Sequence, residues 1–334
     1  MPSQEQTSTR EFNVLKQENE DLKSNILRLS NIKENDDKFQ FYTYLPNYQV
    51  FKALITYLET RKDSGGVNYW RGRNTNLDST KTKKGRERKF TFEEEVFIVL
   101  VKLKTGNFNE DLALTFDTSP AHISKIFSTI INFLCNELKL MFEMQSNESE
   151  KAKCFEQFEN LKVVIDCTEL MVQRSSNLEA RKKTFSNYKH NDTVKFLVGL
   201  SPCLAVNYVS QAWGGRASDK HITMESEGLI NGLQEGETVM ADRGFNVSND
   251  LKKKGVKLLI PEFKGRDRPQ MTAREAKRSE YISKARIHVE RVIQRIKTFY
   301  LLERVIRLNM QDLVKQIFTT CAYLTNFQLP ILCK

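Results

Sequence analysis

The ten residues 161–170, LKVVIDCTEL, constrain the fold more than any other stretch of this 334-residue chain. Val163, Val164 and Ile165 form a β-branched run, which predicts a buried strand. Asp166 follows directly, and a buried carboxylate costs roughly several kcal/mol unless a cation or a hydrogen-bond donor accompanies it. The sequence therefore predicts a core strand that presents a functional acid.

Two further acids have settings that suit a metal-binding cluster. Asp242 follows the apolar run 238–241, and Glu290 lies in the basic helical run 285–299. Carboxylates are natural ligands of hard divalent cations, and two ions about 3.5–4 Å apart can serve both ends of phosphodiester cleavage. Together with Asp166, these acids are candidates for such a site.

Each acid also has a plain structural interpretation. Asp166 can cap a turn, and Asp242 can begin an Asp-Arg-Gly turn. Glu290 can pair with Arg286 or Gln294 on a surface helix. The order of the surrounding elements, described below, favours the metal-binding interpretation.

The charge balance favours a polyanionic partner. The chain has a net charge of +10, with 28% charged and 40% hydrophobic residues, which is typical of a globular protein. Several cations can hold phosphates next to Glu290: Arg286, His288, Arg291 and Arg295.

Membrane and disulfide chemistry are not indicated. No apolar run approaches the roughly 18–20 residues of a membrane span, and the N-terminus lacks the apolar core of a signal peptide. None of the six cysteines forms a CxxC pair. These features predict a reduced, intracellular chain without a membrane partner and without a cysteine zinc site.

The first 89 residues are predicted to contain two helical segments and a linker. Residues 1–38 hold a polar helix with Leu15, Leu22 and Leu29 at heptad spacing, either a short coiled coil or a lone solvated helix. Residues 39–89 hold an aromatic-rich helix and a basic linker. The linker's cations serve as a nuclear address, a phosphate-binding arm or a solvated segment: Lys81, Lys83, Lys84, Arg86, Arg88 and Lys89.

The sequence pattern of residues 90–145 predicts three helices. Thr91 with Glu94 fits a capping box, Gly106 ends the first helix, and Ser119 with Pro120 begins the third. A short helix, a tight turn and a longer helix outline either a helix-turn-helix or an ordinary helical bundle. Four residues are predicted to face outward on the recognition helix, with Lys125 as the candidate DNA contact: His122, Ser124, Lys125 and Ser128.

Residues 158–328 predict an α/β domain with a mixed sheet flanked by helices. Its strands are expected at 163–172, 194–200, 204–212, 238–241 and 256–260, and its helices at 219–233, 246–254 and 272–298. This order is that of an RNase H-like sheet. It places Asp166 on the first strand, Asp242 at the end of the fourth and Glu290 on a late helix.

Five motifs in this order carry a family resemblance: VVIDCTEL, SNYKHNDTVKFLVGLSP, WGGRASDKHIT, VMADRGF and HVERVIQRIKTF. They resemble the DDE endonuclease domain of PIF/Harbinger transposases and of related bacterial insertion sequences, over roughly residues 161–307. Residues 90–127 resemble the helix-turn-helix that precedes this domain. The resemblance implies Asp166, Asp242 and Glu290 as a catalytic triad that binds two Mg²⁺ or Mn²⁺ ions.

The same resemblance extends to further site residues. Asp219 matches an additional motif acid whose role the sequence leaves open. Arg286 and Lys297 match cations that flank the glutamate in bacterial relatives. Lys189 and His190 match a motif strip and are candidate phosphate contacts, or else surface loop residues. The remaining candidate DNA contacts are Arg243, Arg291 and Arg295.

The implied function is a nuclear transposase, or a transposase-derived endonuclease, that hydrolyses double-stranded DNA at transposon ends and transfers a strand to target DNA. The alternative is a domesticated DNA-binding protein that keeps the fold without transposition; an RNase H-like nuclease on another substrate is a third interpretation. Many relatives carry a THAP zinc finger, whereas the first cysteine here is Cys135. DNA targeting is therefore expected to involve a Myb-like partner protein, and a homo-oligomer is a further expected partner.

Overall fold

The fold is described from a computed structural model. It covers residue 16 and residues 27–62, 67, 88–144, 151–245, 247–262 and 270–328. The first two heptad leucines, Leu15 and Leu22, and the basic residues 81–86 lie outside the described residues, so their predicted roles stay predictions.

Three helices precede the predicted helix-turn-helix: α1 (Leu29–Ile32), α2 (Asp36–Thr43) and α3 (Tyr48–Thr60). Asn35 lies between α1, which ends at Ile32, and α2. Its side chain accepts a hydrogen bond from the Lys38 backbone N–H at 2.9 Å and caps α2. An Asx side chain suits an N-cap as well as a turn.

The predicted helix-turn-helix region contains α4 (Phe92–Thr105), α5 (Asn109–Thr115) and α6 (Pro120–Phe142). Its boundary signals are confirmed. Thr91 and Glu94 form a reciprocal capping box, and Gly106 ends α4 in the left-handed conformation at φ 66°. Ser119 caps α6 by accepting the His122 N–H, with Pro120 at the first helical position.

The following region is α/β, as predicted. Its strands are β1 (Leu161–Met171), β2 (Phe185–Ser186), β3 (Asn191–Leu200), β4 (Val206–Val209), β5 (Trp213–Gly214), β6 (Thr238–Met240) and β7 (Lys257–Leu259). Its helices are α7 (Leu178–Thr184), α8 (Asp219–Met224), α9 (Glu227–Asn231), α10 (Ser248–Lys252), α11 (Ala273–Lys297), α12 (Tyr300–Glu303) and α13 (Val314–Leu324). Short 3₁₀ turns occur at Lys153–Phe155, Leu308–Leu313 and Thr325–Phe327.

The single helix predicted over residues 219–233 is wrong. The structure has two helices, α8 and α9, separated at Glu225 and Ser226. The Ser226 hydroxyl donates to the Ile222 carbonyl at 2.7 Å, a local bond that competes with helix continuation.

The sheet is mixed, with strand order β2-β3-β1-β6-β7, and β4 and β5 also pair with β3. The β1–β3 pair is antiparallel, whereas β1–β6 and β6–β7 are parallel. β1 therefore lies at the centre of the sheet, next to the strand that leads to the second candidate acid.

Two hydrophobic clusters cover the two faces of β1. One contains Val164 and continues through α11, α13 and the helix-turn-helix helices to Phe39 near the N-terminus. The other contains Val163 and Ile165 and packs against α8, α9 and α10. The helix-turn-helix thus shares a continuous core with one face of the sheet. No helix within the described ranges is long and apolar enough to cross a membrane.

Candidate active site

Parallel pairing of β1 with β6 places two of the candidate acids side by side. Val164 is paired with Met240 in the register of these strands. Asp166 and Asp242 each come two residues later along neighbouring parallel chains. Because the carboxyl ends of parallel strands meet at one sheet edge, the two carboxylates lie close together at that edge.

Helix α11 supplies the third acid and a cation. The Arg286 Nη1 donates to the Asp242 Oδ1 at 2.9 Å, and its Nη2 lies 3.9 Å from the Glu290 Oε1. Asp242 Oδ1 also accepts the Arg243 backbone N–H at 2.7 Å. The guanidinium therefore lies between Asp242 and Glu290. Arg286 and Glu290 are one turn apart on the same face of α11.

The Asp166 carboxyl experiences all of these charges. Its pKa is raised to about 6, mainly because burial disfavours the charged form. The Arg286 charge and a 2.8 Å hydrogen bond from the Cys167 N–H act in the opposite direction. The nearby charges of Asp242 and Glu290 raise the pKa further. The three acids thus form one electrostatically coupled group.

Arg286 has a buried donor without a partner. Its side chain is 11% exposed, and its Nε is buried and has no hydrogen-bond partner among the described residues. A buried donor without a partner is costly, so this N–H is suited to an acceptor brought by a ligand.

The donor chemistry of the acid group fits a divalent cation, because carboxylate oxygens are hard ligands. In this conformation the described carboxylates do not form a complete set of metal ligands. Within the described ranges, no group of three or more His, Cys, Asp or Glu side chains is arranged to hold a metal ion. Arg286 instead provides the compensating positive charge next to Asp242 and Glu290.

Two predicted cations lie next to the acid group. The Lys297 Nζ donates to the Glu169 carbonyl at 3.1 Å on β1. Burial lowers the Lys297 pKa, and the Lys189 charge lowers it further, while Asp166 raises it. Lys189 is exposed on the turn before β3, and its charge acts on Lys297.

The other predicted contacts are distributed over the surrounding surface. Arg243 and Arg291 are exposed, Arg295 is half-buried and its carbonyl accepts the Tyr44 hydroxyl, and His190 is exposed with φ 52°. His288 was also expected among the phosphate-holding cations, and this is wrong. It is 6% exposed and packs edge-on against the Phe155 ring, because it lies on the core face of α11.

Asp219 lies on the other face of β1 from the acid group. Its Oδ1 is 3.3 Å from the Lys195 Nζ, which also lies 3.4 Å from Glu169. The Cys167 thiol hydrogen-bonds Asp219, and adjacent strand residues point to opposite faces, so Cys167 points away from the Asp166 site.

Lys195 and Glu169 were not predicted from the sequence. Glu169 is three residues from Asp166, but its partner is set by the β1–β3 register, which pairs it with Lys195. Their ion pair joins β1, the strand that carries Asp166, to β3, and Lys195 also pairs with Asp219. Asp219 and Lys195 are therefore suited to holding β1 in place.

Lys125 lies apart from the acid group, exposed on α6 as predicted. His122, also predicted to face outward, is instead half-buried. Its Nδ1 is 2.9 Å from the Thr118 hydroxyl, and its ring stacks on Phe90. Of the outward set, Ser124 and Lys125 remain exposed.

Comparison with known proteins gave two family matches. Residues 165–326 match the DDE superfamily endonuclease family, and residues 88–140 match the helix-turn-helix of DDE superfamily endonuclease. The search of curated proteins found no match. The matched ranges contain the acid group and Lys125, respectively. The chain therefore contains a DDE superfamily endonuclease domain preceded by the helix-turn-helix domain of that superfamily.

Proposed function

We propose that this protein is a transposase-type DNA endonuclease whose catalytic carboxylates are Asp166, Asp242 and Glu290. The observation that carries the proposal is the coupling of these acids. Burial and the charges of Asp242 and Glu290 raise the Asp166 pKa to about 6, and Arg286 joins the other two acids. A buried acid with a strongly shifted pKa, next to other charged groups, is typical of a functional site.

The proposed reaction is hydrolysis of a phosphodiester that frees a 3′ hydroxyl, which then attacks a phosphodiester of target DNA. Divalent cations, Mg²⁺ or Mn²⁺, would be held by the three carboxylates and supply a Lewis acid for phosphodiester cleavage. We assign to Arg286 the orientation of Asp242, and to its buried Nε–H a hydrogen bond to a phosphate oxygen.

The positive surface around the acids supports binding of the DNA backbone. Lys297 lies close enough to Asp166 and to Lys189 for its charge to interact with both. Arg243 and Arg291 extend this surface on the loop after β6 and on α11. We assign these cations, with His190 and Arg295, to phosphates of the DNA near the scissile bond. Lys125 is assigned to the DNA held by the helix-turn-helix.

The finer classification belongs to the same proposal. The strand order β4-β3-β1-β6-β7, with β1 antiparallel to β3 and parallel to β6, supports an RNase H-like fold. The order of the five sequence motifs supports the PIF/Harbinger group. A nuclear location rests on the basic cluster near residues 81–89, and partnership with a Myb-like protein or a second copy rests on the same resemblance.

Replacing Asp242 with asparagine tests the carboxylate role. The amide keeps an oxygen that can accept from Arg286, but it loses the negative charge. We expect divalent-dependent nicking of a duplex to fall by at least about 100-fold, the scale on which one transition-state contact acts. Duplex binding is expected to stay near the wild-type level.

The matched control is Asp250→Asn, because Asp250 lies on α10 and pairs with Lys220 at 3.4 Å. It should nick DNA like the wild type. Equal nicking by Asp242→Asn and wild type would remove Asp242 from the catalytic set.

A further inference from the structure

A cavity of about 350 Å³ lies between the helix-turn-helix and the segment that follows α11. Its walls come from the end of α4, from α5, from α6 and from residues 301–313. This volume is more than ten times the share of a water molecule in the liquid, roughly 30 Å³, so it has room for a polyatomic ligand. The cavity is separate from the acid group on β1 and β6.

The cavity contains a buried ammonium group. Lys102 is 5% exposed, and its Nζ donates to the Asn107 carbonyl at 3.0 Å and to the Asn109 Oδ1 at 2.8 Å. Both acceptors are neutral. Within the described part of the chain, no carboxylate forms an ion pair with Lys102. An ammonium group has three donors, so one remains for a further acceptor.

Burial disfavours the charged form of this group and lowers the Lys102 pKa from 10.5 to about 8. The charges of Glu110 and Asp111 raise the pKa, and the positive charge of Arg307 acts in the same direction as burial. A cation kept in this setting is costly unless an anion accompanies it. The electrostatics therefore agree with the geometry.

Two guanidinium groups also line the cavity, from Arg304 and Arg307. Arg304 lies over the Tyr300 ring at 4.6 Å and Arg307 over the Phe108 ring at 4.4 Å. Neither forms an ion pair with a described carboxylate. With Glu110 as the one acidic side chain of the lining, three cations leave a surplus of two positive charges.

The wall that carries these arginines is tied to the nuclease domain. The Ile306 N–H donates to the Met171 carbonyl at 2.9 Å, and the Gln173 N–H donates to the Ile306 carbonyl at 2.8 Å. The opposite wall is held by the end of α4, where a Cβ on Gly106 would lie 3.4 Å from the Leu301 backbone. A ligand in the cavity would therefore contact both domains at once.

We infer that this cavity is a phosphate-binding site that joins the helix-turn-helix to the nuclease domain, with Lys102, Arg304 and Arg307 as its cations. Guanidinium groups bind phosphate oxygens in a bidentate manner, and an ammonium adds a point charge. The Ser124 side chain, which also lines the cavity, suits a remaining phosphate oxygen. The phosphate can be a free anion or part of a DNA backbone.

The test uses the full chain, with inorganic phosphate as the probe and sodium chloride at equal ionic strength as the reference. The melting temperature at pH 7 should rise with phosphate concentration by several degrees more than with chloride. Lys102→Met, which nearly keeps the shape of the side chain, and Arg307→Gln should lose this extra rise. Lys139→Gln removes a cation at the far end of α6, where Lys139 pairs with Glu143, and should keep it.

Arg307 is exposed, so Arg307→Gln preserves the test if Lys102→Met does not fold. Equal melting responses to phosphate and chloride in the wild type, or a full phosphate response in Arg307→Gln, would overturn the inference. Neither readout depends on DNA cleavage, so the inference can fail while the proposed nuclease function stands.

A second arm of the experiment identifies the source of the phosphate. A short duplex is titrated into wild type and Arg307→Gln, with and without inorganic phosphate. If the site holds a backbone phosphate, phosphate competes with the duplex and the variant binds it several-fold more weakly. If the site holds a free anion, both proteins bind the duplex alike while the phosphate-dependent melting difference remains.

Discussion

At the scale of single residues, burial acts in opposite directions on two ionisable groups. It raises the pKa of the Asp166 carboxyl to about 6 and lowers that of the Lys102 ammonium to about 8. In both cases the charged form is disfavoured in the folded protein. Ionisable groups held in this way reduce stability, and a bound ligand of opposite charge would offset the loss.

The pH dependence of stability tests this view of Asp166. Its pKa in the folded chain lies above the ordinary value of 3.8, so the native state binds the proton more tightly than the unfolded state. The free energy of unfolding therefore falls as pH rises through about 4 to 6 and stays lower above pH 6. Asp166→Asn removes this loss, and we expect it to stabilise the protein at pH 7.5 by about 2–3 kcal/mol.

Urea unfolding from pH 4.5 to 7.5, with chelator present, measures this effect. The advantage of Asp166→Asn over wild type should be small at pH 4.5 and should grow with pH. Asp250→Asn, which changes a carboxylate outside the acid group, should show no such growth. A constant difference between Asp166→Asn and wild type would contradict the burial argument.

The sequence identified part of the residue-scale picture. Asp166 and Asp242 were predicted because each follows a short apolar strand, a signal that local sequence carries. Lys195 and Glu169 were not predicted because their contact depends on the β1–β3 register. Lys102 lies in a helical run where nothing local distinguishes a buried ammonium from an exposed one.

At the scale of elements, α11 is the helix that positions both Arg286 and Glu290. Its 25 residues begin at a reciprocal capping box, in which the Glu275 N–H donates to the Thr272 hydroxyl at 3.2 Å and the Glu275 carboxylate accepts the Thr272 N–H at 2.9 Å. The cap satisfies backbone donors that have no partner within the helix.

Loss of this cap should loosen the start of α11. We expect Thr272→Ala to cost about 1 kcal/mol, so amides of the first turn should exchange with deuterium about five-fold faster. Thr272→Ser keeps the hydroxyl and should exchange like the wild type. Unchanged exchange in Thr272→Ala would show that tertiary packing, not the cap, holds this end of the helix.

Element boundaries were predictable where chemistry marks them. Thr91, Gly106 and Ser119 correctly delimited α4 and α6, because caps and left-handed glycines act locally. The strands β2 and β5 were not predicted, since two residues are too few to show an alternating pattern.

At the scale of the whole molecule, the helix-turn-helix and one face of the sheet share a hydrophobic cluster that extends from Ile32 to Leu324. The sequence predicted these regions separately because periodicity reveals which face of an element is apolar. It does not reveal which other element covers that face. The shared core fixes the helix-turn-helix against the domain that carries the acid group.

Cleavage of a labelled duplex by wild type, Glu290→Gln and Glu280→Gln tests the central claim most directly. Glu280 lies on the same helix as Glu290 but pairs with Lys284 at 2.6 Å, outside the acid group. Each protein is assayed with Mg²⁺, with Mn²⁺ and with chelator. We predict cleavage by wild type and Glu280→Gln with metal, and loss of cleavage in Glu290→Gln and in chelator. Metal-independent cleavage, or equal cleavage by Glu290→Gln, would contradict the account.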